Sequence, residues 1–313
     1  MKQGVAMLGE ALVDFIPADP ANTTFQRSPG GAPANVAAGL ARLGERATFV
    51  GKVGNDVLGK FMKETLASYG VRTSQMAFTR DYRTGLTFVT NTADGDRSFD
   101  FYIDPSADRF LEAADIDEAD LKNHKILHIG SISLIQNPAK QATEYAVKRA
   151  KEHDMLISYD PNLRMMLWDS EEHARTTIVS MLGEMDILKL SEDELAFITG
   201  KSSLAEGMDE LAVYDVPLTV VTLGAKGSYI AVGGESVHIP AMNVTAVDTT
   251  GAGDAFVSGM LYGLCRFEKD LDELTLEEAV RMAKFGAVSG ALAASTKGAM
   301  QALPTLAEVK EFL

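Results

Sequence analysis

The residues Asp248-Thr249-Thr250-Gly251-Ala252-Gly253-Asp254 place three small residues between two aspartates and run directly into an apolar segment. Small residues let a backbone approach another group closely, and the free N–H groups at a helix start attract anions. Asp254 would then lie in the first helical turn, where a carboxylate beside a bound phosphate is useful if it accepts a proton. We interpret the stretch as a site for phosphoryl transfer to a hydroxyl. A plain helix start, at which aspartate favours the positive helix end, explains these seven residues equally well.

The composition limits the possible partners of such a site. The chain has 313 residues, of which 46% are hydrophobic, as expected for a globular enzyme with a sizeable core. Lys and Arg number 29 against 44 Asp and Glu, and the resulting charge of −15 disfavours nucleic acid and anionic membranes as partners. The N-terminus lacks a signal-peptide pattern, and the single cysteine, Cys265, is expected to be a buried structural thiol. We therefore expect a cytoplasmic protein whose phosphate site is locally positive.

The elements that must position this site alternate along the chain. Apolar runs typical of buried strands are Val5–Leu8, Ala47–Val50, Ile126–Ile129, Met155–Tyr159, Ile187–Leu190 and Leu218–Leu223. Helical patterns between them are Pro33–Leu43, Leu58–Tyr69, Ala139–Glu152 and Glu172–Leu182. This alternation predicts an α/β fold with a mostly parallel sheet covered on both faces, and ligands in such folds bind beyond the carboxyl ends of the strands.

One segment interrupts the alternation. Leu86–Asn91 and Arg97–Ile103 flank the turn sequence Ala93-Asp94-Gly95-Asp96, which predicts a hairpin. Period-two alternation puts Phe99, Phe101 and Ile103 on one face. This aromatic face needs a cover, so the hairpin could be a lid over a pocket, a dimer contact or both. Ordinary packing on the main sheet is the alternative.

Several polar residues are expected near the binding edge of the sheet. Gly30-Gly31 precede a helix of small residues whose first turn carries Asn35, and Asp14 interrupts an apolar strand. Such donors and acceptors suit sugar hydroxyls, although a glycine loop and a water-facing aspartate explain them as well. Asn162 and Arg164 follow one strand, and the turn Thr222-Leu223-Gly224-Ala225-Lys226-Gly227 follows another.

Two further motifs have a structural interpretation. Gly54-Asn55-Asp56-Val57-Leu58-Gly59-Lys60 imitates a P-loop, but Phe61 stands where Ser or Thr must hold the metal, and Asn55 or Asp56 suits a helix cap. Ser191-Glu192-Asp193-Glu194 follows the strand that carries Lys189 and matches a capping box, so Glu194 has a capping role to weigh against a metal-linked one.

Taken together, these motifs resemble the ribokinase-like (PfkB-type) carbohydrate kinases, most closely the bacterial fructokinases. The resemblance covers nearly the whole chain, and Asp248–Asp254 matches the family signature DTxGAGD completely. It implies a three-layer α/β/α sandwich over residues 1–313, a single domain with a small β lid formed near 11–28 and 84–104. It also implies transfer of the γ-phosphoryl group of ATP to a sugar hydroxyl. The substrate that the resemblance favours is fructose, which would be converted to fructose 6-phosphate.

The resemblance assigns roles to the matching positions. Asp254 would be the base, and the backbone of Gly251, Ala252 and Gly253 the anion hole. Sugar contacts would come from Asp14, Gly30, Gly31, Asn35 and Arg164, and nucleotide contacts from Asn162, Lys189, Thr222, Gly224, Lys226 and Gly227. Glu194 would organise Mg²⁺ through water, while Asp248, Thr250, Ser295 and Gly298 would surround a monovalent cation such as K⁺. The lid would form a homodimer.

Three positions depart from the family pattern. Ser191 replaces the Asn of the metal-linked NxxE motif, Ala287 replaces an Asn near the nucleotide, and Ile103 replaces an Arg common in fructokinases. The last departure keeps ribose, a nucleoside and 2-keto-3-deoxygluconate open as substrates. A sugar- or nucleotide-binding regulator on the same fold is the alternative outside enzymes.

Overall fold

A computed structural model describes residues 2–91 and 97–313 of the chain. The strands in these ranges are β1 (Val5–Leu8), β2 (Leu12–Pro17), β3 (Phe25–Gly30), β4 (Ala47–Gly54), β5 (Arg72–Thr79), β6 (Leu86–Asn91), β7 (Arg97–Tyr102), β8 (Ile126–Ile129), β9 (Leu156–Tyr159), β10 (Ile187–Ser191), β11 (Leu218–Thr222), β12 (Ser228–Val232) and β13 (Glu235–Ile239). The predicted turn at Ala93-Asp94-Gly95-Asp96 lies outside the described residues.

The α-helices of the described ranges alternate with most of these strands. They are α1 (Ala32–Arg42), α2 (Val57–Ser68), α3 (Glu118–Leu121), α4 (Ala139–Glu152), α5 (Glu171–Leu182), α6 (Glu192–Thr199), α7 (Leu204–Leu211), α8 (Ala252–Cys265), α9 (Leu276–Ala294) and α10 (Leu306–Lys310). The six predicted strands and four predicted helices are all present, with ends that differ by a few residues.

The main sheet has the strand order β13-β12-β11-β10-β9-β8-β1-β4-β5. The strands from β5 to β11 in this order pair in parallel, and β12 and β13 extend the sheet in antiparallel pairing. The carboxyl ends of the parallel strands therefore meet along one edge. Loops that follow β1, β8, β9, β10 and β11 converge there.

Side chains that alternate along β1 show how the layers form. Val5 and Met7 pack into the core beneath α1, α8 and α9, whereas Ala6 and Leu8 pack into the core beneath α4, α5 and α6. All four are fully buried, since both faces of the central strand are covered. This arrangement confirms the predicted three-layer α/β/α fold with a mostly parallel sheet.

A second sheet of order β3-β2-β6-β7 stands beside the main one. Its strands come from both segments predicted to form the lid. Register places Phe99 and Phe101 opposite Val89 and Thr87, so these two rings share one face, as predicted, whereas Ile103 lies one residue beyond the end of β7. The hairpin packs in its own sheet and not on the main sheet, which removes that alternative.

The opposite face of the second sheet carries an aromatic cluster that the sequence pattern did not reveal. The ring of Phe88 stacks on Phe15 at 5.1 Å between centroids and meets Phe25 and Tyr102 edge-on. Because these rings come from four separate strands, they are brought together by the pairing of β2 with β3 and β6 and by the pairing of β6 with β7.

The P-loop-like string is a capped helix start. Asp56 is the N-cap of α2 and accepts hydrogen bonds from the N–H groups of Leu58 and Gly59 at 3.0 and 2.9 Å. Its other oxygen accepts from Thr84 N–H at 2.9 Å. The rejection of a P-loop is therefore supported by the cap geometry, and Asp56 ties α2 to the start of the second sheet.

Candidate active site

Helix α8 begins within the Asp248–Asp254 motif. Gly251 is its N-cap with φ of 78°, a conformation that favours glycine, and Asp254 lies in the first turn, as predicted. Ala252 N–H donates to the Thr249 carbonyl at 3.2 Å, so one of the three predicted anion-hole donors is engaged in a turn. The N–H of Gly253 belongs to the first turn, whose donors lack intrahelical acceptors, and it is suited to an anion.

Asp254 is the buried carboxylate of this site, with 6% of its surface exposed. Its Oδ2 accepts from Asn35 Nδ2 at 2.8 Å, and its Oδ1 accepts from Asn162 Nδ2 at 3.2 Å. Burial raises the pKa of Asp254, although the bond from Asn35 and the charges of Lys189 and Arg164 oppose the increase. A carboxylate with a raised pKa is a stronger proton acceptor, which suits the predicted base.

Two helices meet to bring Asn35 and Asp254 together across 219 positions of the chain. Asn35 lies in the first turn of α1, and Asp254 occupies the equivalent turn of α8. A Cβ on Gly39 of α1 would lie 2.5 Å from Ser258 Oγ of α8, so only glycine allows this approach. The close packing of the two helices therefore sets the amide against the carboxylate.

Lys189 supplies a cation to the same cluster. Its Nζ lies 2.9 Å from Asp160 Oδ2, and a Cβ on Gly253 would lie 3.5 Å from the same nitrogen. Burial alone would lower the pKa of Lys189, but Asp160 and Glu194 outweigh it and raise that pKa, so the ammonium stays charged. Asp160, whose pKa burial raises to about 6, was not predicted as a site residue.

The positive charge of Arg164 acts on two carboxylates, one in the second sheet and one in α8. Its guanidinium donates to the Leu163 carbonyl at 3.2 Å, and its charge lowers the pKa of both Asp14 and Asp254. Burial nevertheless raises the pKa of Asp14 to about 6. One cation therefore acts on the carboxylate of β2 and on the carboxylate of α8.

Two glycines leave room for acidic residues, Gly30 for the Asp14 side chain within the second sheet and Gly31 for the backbone of Glu10. A Cβ on Gly30 would lie 2.5 Å from Asp14 Oδ2, and a Cβ on Gly31 would lie 2.5 Å from the Glu10 carbonyl. A small cleft opens between the sheets on this side. It is lined by Asp14, Ile16, Val89 and Phe99 of the second sheet and by Asp248, Thr250, Gly298 and Ala299 of the main body.

Glu194 forms the predicted capping box with Ser191. Its Oε2 accepts from Ser191 N–H at 2.7 Å, Ser191 Oγ accepts from Glu194 N–H at 3.2 Å, and Glu194 Oε1 accepts from Leu163 N–H at 2.8 Å. Burial opposes ionisation, but Lys189 and these N–H groups lower the pKa of Glu194 overall. The carboxylate therefore stays ionised while it holds the Asn162–Arg164 turn against α6.

The remaining nucleotide-site candidates form a separate turn beyond β11. Gly224 and Gly227 have φ of 58° and 107°, Thr222 Oγ1 donates to the Leu190 carbonyl at 3.3 Å, and Lys226 pairs with Glu192 at 3.2 Å. Asn162 and Lys189 were also predicted to contact the nucleotide, but they lie in the group of side chains around Asp254. Ala287 packs against the core beneath α8 and α9.

The residues predicted to surround a monovalent cation also lie together. Asp248 accepts from Thr250 N–H and Gly298 N–H, each at 3.1 Å, and its own N–H donates to the Ala294 carbonyl, next to Ser295. Two loops are thereby joined beside the start of α8. Their role in cation binding stays a prediction.

The described ranges have neither a carboxylate-rich metal cluster nor a membrane-spanning helix. Residues 2–91 and 97–313 contain no cluster of three or more His, Cys, Asp or Glu side chains that could hold a metal ion alone. No helix in the same ranges has the length and apolar character needed to cross a bilayer. Cys265 is largely enclosed in α8, and burial raises the pKa of its thiol to about 12, which fits the structural role expected of it.

This combination of an α/β fold, a helix start open to anions and a buried acceptor carboxylate defines an enzyme site for group transfer to a hydroxyl. The sequence model of the pfkB family carbohydrate kinases matches residues 2–306. The chain therefore belongs to the pfkB family of carbohydrate kinases.

Individual relatives align over almost the entire chain. Fructokinase-1 of Oryza sativa subsp. japonica is 42% identical over 316 residues, which cover 99% of this chain and 97% of the relative. The fructokinase of Vibrio alginolyticus is 39% identical, with 99% and 98% coverage. A fructokinase double mutant from Vibrio cholerae O395, solved with fructose, ADP and potassium ion, superposes with a TM-score of 0.91 at 38% identity, covering 100% of this chain and 99% of that one.

Proposed function

We propose that this chain is an ATP-dependent fructokinase, which transfers the γ-phosphoryl group of ATP to fructose and forms fructose 6-phosphate. The observation that carries the proposal is the buried Asp254 at the start of α8, held between Asn35 and Asn162. Fructose is favoured because the relatives above are fructokinases and share about two fifths of their residues with this chain.

In this proposal Asp254 is the general base. Its oxygens accept two amide N–H groups, which fix the carboxylate while leaving lone pairs for the sugar hydroxyl. The raised pKa strengthens it as a base, and a positioned base contributes on the order of 10²–10⁴ in rate. The hydroxyl proton passes to Asp254 as the hydroxyl oxygen bonds to the γ-phosphorus, while the bond from that phosphorus to the β–γ bridging oxygen breaks and ADP leaves.

Charge on the transferring group would be stabilised at the start of α8. Phosphoryl transfer depends chiefly on positioning and on electrostatic stabilisation. The first N–H groups of α8, that of Gly253 among them, the ammonium of Lys189 and the guanidinium of Arg164 would supply the positive charge. The turn from Thr222 to Gly227 lies beyond β11 and would receive the rest of the nucleotide.

The sugar would bind between the two sheets. Asn35 Oδ1 is buried without a hydrogen-bond partner among the described residues, although its amide nitrogen holds Asp254. A buried unpaired acceptor is costly, and a sugar hydroxyl would satisfy it. Asp14 lines the cleft from β2, and Gly30 leaves room for its carboxylate, which would be the second sugar contact. Ile103, the departure from the fructokinase pattern, is buried and packs near Gly85.

The proposed cofactors are ATP, Mg²⁺ and K⁺. Mg²⁺ bound with the nucleotide supplies further positive charge to the phosphates. Both oxygens of Glu194 already accept backbone N–H groups, so this residue fits a metal through water. The loops joined by Asp248 would hold K⁺ next to the start of α8.

We also propose a single catalytic domain, a cytoplasmic location and a homodimer formed through the second sheet. The dimer is supported by the aromatic cluster around Phe88 and by Tyr102, which is 57% exposed on the same face. The second sheet would act as a lid, since its other face lines the cleft beside Thr250 and Gly298.

A panel of hydroxyl substrates tests the proposed function. Fructose, ribose, a nucleoside and 2-keto-3-deoxygluconate are each supplied with ATP and Mg²⁺, and ADP release is measured. We expect the highest kcat/KM with fructose. A preference for another substrate would reassign the specificity, and ATP or sugar binding without any ADP release would favour the regulator.

A further inference from the structure

Glu10 is a buried acid that the reaction described above does not use. It follows β1, is 3% exposed and was not singled out by its sequence context. Its Oε1 accepts a hydrogen bond from the backbone N–H of Ala32 at 2.9 Å. Ala32 is the first residue of α1, so a side chain from the loop after β1 reaches the start of the helix that carries Asn35.

The contact supplies a cap that α1 lacks locally. The N-cap residue Gly31 has no side chain, and no side-chain hydrogen bond from the cap position satisfies the first N–H groups. Gly31 also packs against the Glu10 backbone at a φ of 98°, a conformation that favours glycine. Glu10 therefore holds both the backbone before α1 and its first N–H group.

The position of α1 matters for the site because Asn35 lies one turn from this cap. Asn35 Nδ2 donates to Asp254 Oδ2 at 2.8 Å, and both residues are buried. A shift of the helix start would move the amide away from the carboxylate. Misplacement by about 1 Å can cost on the order of 10²-fold in rate.

The charged groups that act on Glu10 are mostly of its own sign. Asp108 faces it from the segment after β7 and Asp254 faces it from α8. Arg109 acts on Asp108, and Lys189 and Arg164 act on Asp254, but no cation forms an ion pair with Glu10 within the described part of the chain. Burial, followed by these two carboxylates, raises the pKa of Glu10 to about 8, against the opposing hydrogen bonds from its own N–H and that of Ala32.

We propose that Glu10 is a positioning residue for the phosphoryl-transfer site, which caps α1 at Ala32 and thereby holds Asn35 against Asp254. The inference rests on the proposed role of Asp254. At neutral pH the protonated side chain keeps its carbonyl oxygen for Ala32. Ionisation would strengthen the bond from Ala32 N–H, but it would also place a buried charge beside Asp108 and Asp254. We expect the cost of burial and this repulsion to outweigh that bond and to loosen the start of α1.

Three variants of the full-length protein test this. Glu10→Gln keeps the acceptor and removes the titration, while Glu10→Ala removes both. Asp186→Asn is the matched control. Burial also raises the pKa of Asp186, and its Oδ2 accepts a hydrogen bond from Ile157 N–H at 2.7 Å. Asp186 lies just before β10, at the amino ends of the parallel strands and therefore away from the site. ADP release is measured from pH 6 to pH 9.5, with thermal unfolding to show that each variant is folded.

We expect Glu10→Ala to lose on the order of 10- to 100-fold in kcat at pH 7. We expect the kcat of Glu10→Gln to stay within about twofold of wild type at pH 7. Above about pH 8 the kcat of the wild type and of Asp186→Asn should decline, because each pKa unit changes the ionisation ratio tenfold, whereas Glu10→Gln should keep its rate. A folded Glu10→Ala with the wild-type kcat would overturn the proposal. So would a Glu10→Gln profile that declines with the wild type, and this second test stands if Glu10→Ala does not fold.

A measurement independent of activity separates this inference from the proposed function. The side-chain amide NMR signal of Asn35, identified by its loss in Asn35→Ala, should shift in Glu10→Ala and return in Glu10→Gln. An inactive wild type on every substrate would refute the proposed function, while this signal would still test the positioning. An unchanged Asn35 signal in Glu10→Ala would refute the positioning in an active enzyme.

Discussion

Replacing Asp254 by Asn should separate catalysis from stability. The amide cannot take the hydroxyl proton, so we expect kcat to fall by about 10²–10⁴. This fall equals about 3–5 kcal/mol in the barrier, at 1.36 kcal/mol per tenfold change. The shape of the site should survive, because rotation of the Asn35 amide would present its unpaired Oδ1 to the new N–H₂ group. ATP binding should therefore remain.

The same change should stabilise the fold in a pH-dependent manner. Burial raises the pKa of Asp254 above its unfolded value, so its contribution to stability is fully present below the unfolded pKa and is lost as the pH rises through the folded pKa. Asparagine carries no charge at any of these pH values. The unfolding temperature of Asp254→Asn relative to wild type should therefore increase as the pH rises from the ordinary aspartate pKa of 3.8 towards neutrality.

Two assays decide the outcome. ADP release with saturating fructose gives kcat, and thermal unfolding over this pH range gives the stability difference. Asp186→Asn again serves as the control, with unchanged kcat and a similar stability trend, since burial raises its pKa as well. A variant with kcat within tenfold of wild type would refute the role of Asp254 as base. A stability difference that shrinks with pH would refute the electrostatic reasoning.

Three further changes have defined outcomes. Lys189→Met leaves the buried Asp160 without the partner that lies at 2.9 Å in the wild type. The free energy of unfolding, measured in urea, should fall by about 3–5 kcal/mol, and kcat should fall as well. An unchanged free energy of unfolding would contradict the ion pair. Gly259→Ala puts a methyl group 2.8 Å from the backbone of α9 and should cost about 1–3 kcal/mol in thermal unfolding, whereas Gly183→Ala, where a Cβ meets nothing within 4 Å, should not. Phe99→Ser removes a ring that lines the cleft and should raise KM for fructose more than it lowers kcat. An unchanged KM would argue against a lid.

The fold was largely predictable because its central strands are buried on both faces. Such strands read as continuous apolar runs, which Val5–Leu8 and Ile126–Ile129 show clearly. The strand β5 at the edge of the main sheet was not predicted, since Arg72–Thr79 mixes exposed polar residues with few apolar ones. The edge strand β13 was not predicted from the sequence for the same reason.

The candidate site was predictable in its residues but not in its contacts. Asp254, Asn35 and Lys189 were identified from motifs, yet their mutual geometry depends on packing between distant segments. The Asn35–Asp254 bond needs the close approach of Gly39 to Ser258, and no local pattern encodes that pair. Asp160 and Glu10 were missed for a related reason, because each is a single acid in a loop whose partner lies on another element.

These contacts explain how a chain with a charge of −15 can present an anion site. The carboxylates at the start of α1 and α8 are not equivalent charges. Asp160 is paired with Lys189, Asp254 accepts two amides, and burial keeps Glu10 protonated below about pH 8. The first N–H groups of α8, with the Lys189 ammonium beside them, can then act on a phosphoryl group, while the Asp254 carboxylate remains to take the proton.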